Sequence, residues 1–295
     1  MISALRLLRL ILLILTGISG TLLNSSAMVL YFVLWRRMSD WCNYNGILLV
    51  ISLVNLFYQW CLTVDNVFKY SEIYEMFDER LCLVLFSLQF ALVGVSLWNT
   101  TWLCIFYCAR LVSSSHWLLL RIKEKFFSFL PQLMAGSVVW SVAITMPLFW
   151  ATSKETAENQ TDVVTICSRR MDVDYIVFSP VIGFCIPVSM TCLSIGLSVR
   201  TLVRHIHTMR NSHISSPQLQ GHVQAIRTMI IRVYFEISFF VVIVLGTFTS
   251  LSSNSTMIAI RWLNALIYPT SQALLLIFGN PKVKKKLCDC LTLRK

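Results

Sequence analysis

The chain has 295 residues, 56% of them hydrophobic and only 13% charged, and a formal net charge of +11. A soluble domain averages about 25% charged residues, so the composition excludes an ordinary soluble globular protein. The basic excess could indicate nucleic acid, but the basic residues flank long apolar runs, which points to anionic lipid and a cytoplasmic partner.

Seven runs contain no Asp, Glu, Lys or Arg: residues 10–35, 41–64, 81–109, 126–153, 175–199, 237–260 and 262–281. About 20 apolar residues of helix span the hydrocarbon core. Barrel strands would need only ~10 residues of alternating polarity, and these runs do not alternate. The expected fold is all-α, a seven-transmembrane helix bundle with helices over 8–35, 42–65, 80–111, 127–152, 175–204, 222–251 and 256–279. A tail over 280–295 follows, and the whole chain, 1–295, forms one domain.

Charge is sorted between the connections. The segments 36–40, 110–125, 200–232 and 282–295 hold 17 of the 25 Lys and Arg residues. The N-terminus, 65–80, 154–174 and Arg261 hold 8 basic residues but 10 of the 14 acidic ones. Lys and Arg accumulate on the cytoplasmic side, which places the N-terminus outside and the tail inside. Arg6 and Arg9 run against this rule and, with the apolar run after them, mimic a signal peptide. That run is too long for a signal-peptide core and lacks a clean small-residue cleavage site, so it reads as an uncleaved first helix.

Most of the cysteines lie inside expected helices, where a thiol behaves as a small apolar group. Cys82 opens the third helix at its outer end and Cys167 lies in the second outer loop. Both face the oxidising side, where disulfides persist, with Cys61 as a weaker competitor. In that loop, Asn159-Gln160-Thr161 is a glycosylation sequon on the correct side. Asn254-Ser255-Thr256 is a second candidate near the membrane surface, and the matches at Asn24 and Asn99 sit inside helices and should be silent. Cys288 and Cys290 follow a basic cluster just past the last helix, a setting for palmitoylation or for two free thiols.

Glu236 is the only acid within an expected membrane stretch, and Arg232 lies four residues earlier on the same helical face. Two readings stand: a structural Arg232–Glu236 pair or a protonated Glu236, and a bundle-facing group in a switch or ligand contact. Asn24, Ser52, Asn55 and Asn99 are also embedded, where polar side chains commonly join helices. Pro147, Pro180, Pro187 and Pro269 fall in helical runs and are expected to kink them. No catalytic constellation appears, and the histidines have no partners at metal-ligand spacing. The chain is not read as an enzyme, and no cofactor or metal is expected. A transporter would show paired broken helices and internal symmetry, and neither is visible.

Seven helices with an outside N-terminus is the architecture of G-protein-coupled receptors. Within it, Ser96-Leu97-Trp98 through Phe106-Tyr107-Cys108-Ala109-Arg110 resembles the third helix of the bitter taste receptor (taste receptor type 2) family. That family has Ser-x-Trp and then Phe-Tyr-x-x-Lys; here Arg110 replaces the Lys. Thr201-Leu202-Val203-Arg204-His205 followed by Met209 resembles the end of its fifth helix, and His222-Val223-Gln224-Ala225-Ile226 the start of its sixth. Pro269-Thr270-Ser271-Gln272 and Gly279-Asn280-Pro281-Lys282-Val283-Lys284 are similar to its seventh. Gly20, Asn24 and Asn159 also fit.

Some positions depart from the family pattern. Leu53 stands where an Arg of helix two is usual, and Gln272 where helix seven has His. Gln89 and Val93 occupy outer positions of helix three that often hold Trp and Asn and line the tastant pocket. A Cys82–Cys167 bridge is not typical of many members and resembles the helix-three-to-loop disulfide of rhodopsin-like receptors.

The resemblance implies an extracellular small-molecule bitter agonist, a heterotrimeric G protein of the gustducin type and a multi-pass position in the plasma membrane. By spacing, Gln89, Val93, Phe240, Arg261 and Trp262 are the candidate ligand residues. Tyr107, Arg110, His205, Met209 and His222 fall on the G-protein side. Core packing is the competing role for the five ligand candidates, and helix packing with headgroup contact the competing role for the five inner residues. The competing functions are a vomeronasal type 1 pheromone receptor and a small membrane transporter.

Overall fold

A computed structural model of the chain describes residues 2–36, 44–70, 79–111, 117–149, 152–154, 169–171, 181–210, 217–250, 255–279 and 283. Among these residues there are seven long helices: α1 (Ile2–Arg36), α2 (Tyr44–Tyr70), α3 (Glu79–Leu111), α4 (Trp117–Thr145), α5 (Ile186–Arg210), α6 (Pro217–Ser250) and α7 (Ser255–Phe278). Five described stretches, four within α1 to α4 and a fifth running from Ile182 to Arg204 of α5, are long and apolar enough to cross a membrane. We call the end carrying Arg36, Tyr44 and Leu111 the inner end, and the end carrying Tyr70 and Glu79 the outer end.

The helix ends differ from those expected by counting uncharged residues. α2 continues to Tyr70 because Asp65 and Lys69 pair within it, Nζ to Oδ2 2.7 Å, as i,i+4 neighbours do. α6 begins at Pro217, where proline suits a first turn because its missing N–H would be unpaired there anyway. The fifth helix departs most from the range 175–204. A π-turn over Val181–Cys185 leads into α5 at Ile186. Pro187 therefore sits in the first turn of α5, not in its interior, and lacks the N–H that would close on the Gly183 carbonyl. Pro147 likewise falls in a 3₁₀ turn, Met146–Phe149, after α4 has ended. Pro269 lies inside α7, and Pro131, which the sequence reading did not single out, lies inside α4. Two three-residue strands, Thr152–Lys154 (β1) and Arg169–Met171 (β2), pair antiparallel between α4 and α5, with Thr152 opposite Met171. A strand pair in this loop was not expected.

α3 is the axial helix. It packs against α2, α4 and α5, while α7 closes the ring against α1, α2 and α6. Its sequence is apolar on all faces, as a helix surrounded by others requires. The outer ring shows the opposite pattern: Val139 is 69% exposed, Leu193 68% and Tyr234 68%. Large apolar side chains turned outward around the bundle fit a lipid surround. Between the helices lie two apolar clusters. The inner one includes Tyr31, Ile51, Leu103, Phe106, Met229 and Ile277. The outer one includes Tyr58, Val93, Leu97, Phe184, Phe239 and Tyr268.

Candidate functional site

Polar side chains join the helices in the middle of the bundle. Asn24 Nδ2 donates to the carbonyls of Gly20 (2.9 Å) and Pro269 (3.2 Å), tying α1 to α7. Ser96 Oγ lies 3.3 Å from both Asn55 Oδ1 and the Tyr268 hydroxyl, tying α3 to α2 and α7. Thr101 Oγ1 lies 3.1 Å from the Pro187 carbonyl and 2.8 Å from Thr191 Oγ1, which fastens α3 to the start of α5. Leu53 is 39% exposed and faces away from these contacts, whereas Asn55 is 1% exposed. Asn55 is thus one of the bundle-facing polar residues of α2, with Ser52, Gln59, Asp65 and Asn66, whereas Leu53 turns outward.

Arg232 and Glu236 are both buried, with Nε and Oε1 3.7 Å apart. Arg232 Nε also donates to Thr100 Oγ1 of α3 at 3.1 Å. The pair is thus anchored across the helix interface, and α6 is held to the axial helix by a cation in the bundle interior. Asp65, at 5% exposure, is a second buried acid. Counting uncharged runs missed it because such a count stops at the first charge, even when Lys69 compensates it one turn later.

In the outer half, Val93 belongs to the apolar cluster, and Phe240 and Trp262 pack against it. Trp262 Nε1 donates to Asn66 Oδ1 at 2.8 Å, joining α7 to α2. Gln89 is half-buried one turn further out on α3, and its Nε2 has no hydrogen-bond partner. Arg261 is half-buried in the first turns of α7. The central side chain here is Phe184, which the sequence did not single out. Its ring meets Phe90 of α3 edge-on at 5.1 Å and lies 5.6 Å from Phe240 of α6. The adjacent Phe239 stacks on Tyr268 of α7 at 4.2 Å. Two successive residues of α6 thereby grip the π-turn that leads into α5 on one side and α7 on the other. The π-turn before Pro187 is the only local signal that could have pointed to Phe184, and π-turns are frequent at functional sites.

At the inner end, the Tyr107 ring meets Tyr44 of α2 edge-on at 5.1 Å. Arg110 is exposed, its guanidinium 4.8 Å from the Phe106 ring centre. His205, Met209 and His222 lie on the helical backbones of α5 and α6, but their side chains are outside the described residues. Asn159, Asn254, Cys167, Cys288 and Cys290 also lie outside them. Cys82 is buried and disulfide-bonded. Cys61 is a free thiol, so it is not the partner of Cys82. Among the described residues, no cluster of three or more His, Cys, Asp or Glu could hold a metal ion.

A seven-helix bundle with an axial third helix, a polar midsection and lipid-suited outer faces defines a multi-pass membrane receptor of the G-protein-coupled class. The taste receptor protein family model (TAS2R) matches residues 1–295, and the chain belongs to this taste receptor type 2, or bitter taste receptor, family. It is 26% identical over 261 residues to taste receptor type 2 member 40 of Gallus gallus, covering 84% of this chain and 83% of that one. It is 28% identical over 210 residues to member 41 of Mus musculus, covering 67% and 68%. Against member 119 of Rattus norvegicus it is 23% identical over 299 residues, covering 92% and 84%.

Proposed function

We propose that the chain, as one receptor domain over 1–295, binds an extracellular bitter small molecule and activates a gustducin-type heterotrimeric G protein at the plasma membrane. The carrying observation is the outer apolar cluster, which contains Val93 and Phe184 and has Phe240 and Trp262 packed against it, with the Phe184 ring meeting Phe90 and Phe240. An agonist that fits the active arrangement of these helices better than the resting one shifts the population toward it. Gln89 and Arg261 supply polar groups at the mouth of this site. The charge asymmetry of the connections puts the outer end outside the cell. Tyr107, Arg110, His205, Met209 and His222 then face the G protein, with basic side chains beside anionic lipid. The whole-chain family match leaves the vomeronasal and transporter readings without support.

Cys167 is the proposed partner of Cys82. Five described cysteines are free thiols, which leaves Cys42, Cys167, Cys288 and Cys290. Of these, only Cys167 is tied by sequence to the outer end, two residues before β2. Asn159 is proposed to carry a glycan, and Cys288 and Cys290 to carry palmitate.

The test is expression with a taste-type G protein and a calcium readout across a broad bitter panel. Agonist-evoked signals are expected. Silence across the panel from receptor demonstrated at the cell surface would overturn the proposal.

A further inference from the structure

Gln132 places a polar side chain on the side of α4 that is turned away from the bundle. α4 rests on α3 through its opposite side, where Leu130, Ser137 and Ser141 are buried. There Ser141 comes so close to Gly94 of α3 that an added Cβ would lie 2.9 Å from its Oγ. Gln132 comes two residues after Leu130, about 200° round a helix of ~3.6 residues per turn, and it is exposed. Val139, seven residues further on and on the same side, is 69% exposed.

The position is deep in the span. Gln132 follows the exposed Lys125 by seven residues and precedes Thr145, the last residue of α4, by thirteen. At about 1.5 Å per residue it lies about 10 Å from one end and about 20 Å from the other of a hydrocarbon core of about 30 Å. Its short side chain cannot reach the headgroups from that depth, as a long Lys or Arg stem does near a helix end. Hydroxyls at the bundle surface avoid this difficulty: those of Ser19, Ser189 and Thr201 each donate to the carbonyl four residues back in their own helix. The Gln132 carboxamide makes no hydrogen bond among the described residues. It has two N–H donors and a carbonyl acceptor, and acyl chains answer neither. Polar groups left unpaired in hydrocarbon are strongly disfavoured.

We propose that this outward face of α4 pairs with the same face of a second copy of the chain, the two Gln132 carboxamides hydrogen-bonded to each other. Copies inserted in the same direction carry Gln132 at the same depth, and a two-fold axis along the membrane normal brings the residue to its own counterpart. Each carboxamide then donates to its mate and accepts from it. Any other partner would need a polar group at this depth and angle, whereas a second copy supplies one by symmetry. Ala135 and Gly136, one turn along, are exposed, and no neighbouring heavy atom lies within 4 Å of the place a Gly136 Cβ would take. Small residues there let two backbones approach closely, as they do where membrane helices meet. Neither the agonist nor the G protein takes part, so the pairing is tested apart from signalling.

The experiment reconstitutes the full chain, fused at its C-terminus to a donor or an acceptor fluorescent protein, in phosphatidylcholine vesicles and follows energy transfer as the protein-to-lipid ratio varies. Saturable transfer above the level of random proximity, diluted out by unlabelled receptor, is expected. Gln132→Leu should keep the unfolding temperature of the parent and raise the apparent dissociation constant roughly 3–30-fold, the range of polar contacts between membrane helices. Gly136→Leu, which holds the backbones apart, should also weaken pairing, and Leu193→Ala on the outward face of α5 should leave it unchanged. Oxidative cross-linking of Gln132→Cys should give a covalent dimer well above the parent's background, and Leu193→Cys should not. Transfer at the random level in the parent, an unchanged dissociation constant in Gln132→Leu, or a covalent dimer from Leu193→Cys but not from Gln132→Cys overturns the inference.

Discussion

Gly279 stands at the inner junction of α6 and α7, and its replacement by alanine should raise agonist-independent signalling. Its amide donates to the Leu275 carbonyl at 2.9 Å, ending α7. An added Cβ would overlap Thr228 Cγ2 of α6 and lie 2.5 Å from the Leu275 carbonyl oxygen. Ordinary contacts lie at about 3.5–4.0 Å, so something must move. The Leu275 clash lies within one chain segment and is present whether the bundle is open or closed. The Thr228 clash crosses the helix interface, and movement of α6 away from α7 relieves it.

Overpacking of this kind costs about 1–3 kcal/mol. If the interfacial part is released on opening, the resting-to-active ratio falls by up to roughly 5–150-fold, at about 1.4 kcal/mol per decade. The assay is basal nucleotide exchange on the G protein in vesicles, normalised to receptor number, with unfolding temperature measured in parallel. Thr228→Ser in the same chain removes the methyl group and should bring basal exchange back toward the parent. Basal exchange and unfolding temperature both equal to the parent would refute the reasoning, as would a Gly279→Ala phenotype indifferent to Thr228→Ser.

Three further outcomes follow from the same contacts. Arg232→Leu or Glu236→Leu alone should cost about 3–5 kcal/mol, because each leaves a buried charge without its partner, whereas the double variant should lie near the parent; additive losses in unfolding measurements would contradict this. Phe184→Ala should destabilise the receptor by about 3–5 kcal/mol and weaken agonist potency, by emptying the meeting point of α3, α5 and α6. Unchanged potency in a concentration–response series would remove Phe184 from the site. Cys82→Ser should cost about 2–5 kcal/mol and remove a bridged peptide pair containing Cys167 from non-reducing maps; a different partner in the parent map would disprove the pairing.

The helices themselves were legible because lipid imposes a local rule. Every backbone polar group must be satisfied within its own segment, so each span announces itself as a long uncharged run. Their ends were less legible. Whether Asp65 ends α2 or lies inside it depends on Lys69, and whether Pro187 kinks α5 or opens it depends on the π-turn before it. The candidate ligand positions Val93, Phe240 and Trp262 could be placed by spacing along their helices. Phe184 could not, because its importance comes from the rotation of α5 against α3 and α6.

By itself, the sequence determined the number of long helices, the sorting of charge between the two sets of connections and the motifs that tie the chain to taste receptors. Those are one-dimensional properties, set by helix length and composition. Only the tertiary structure decided that Asn55 and not Leu53 faces the bundle, that Arg232 reaches Thr100 as well as Glu236, and that Phe239 and Phe240 grip opposite neighbours. The reason is that an apolar helix such as α3 looks alike on every face, and only packing against particular partners gives its faces different roles.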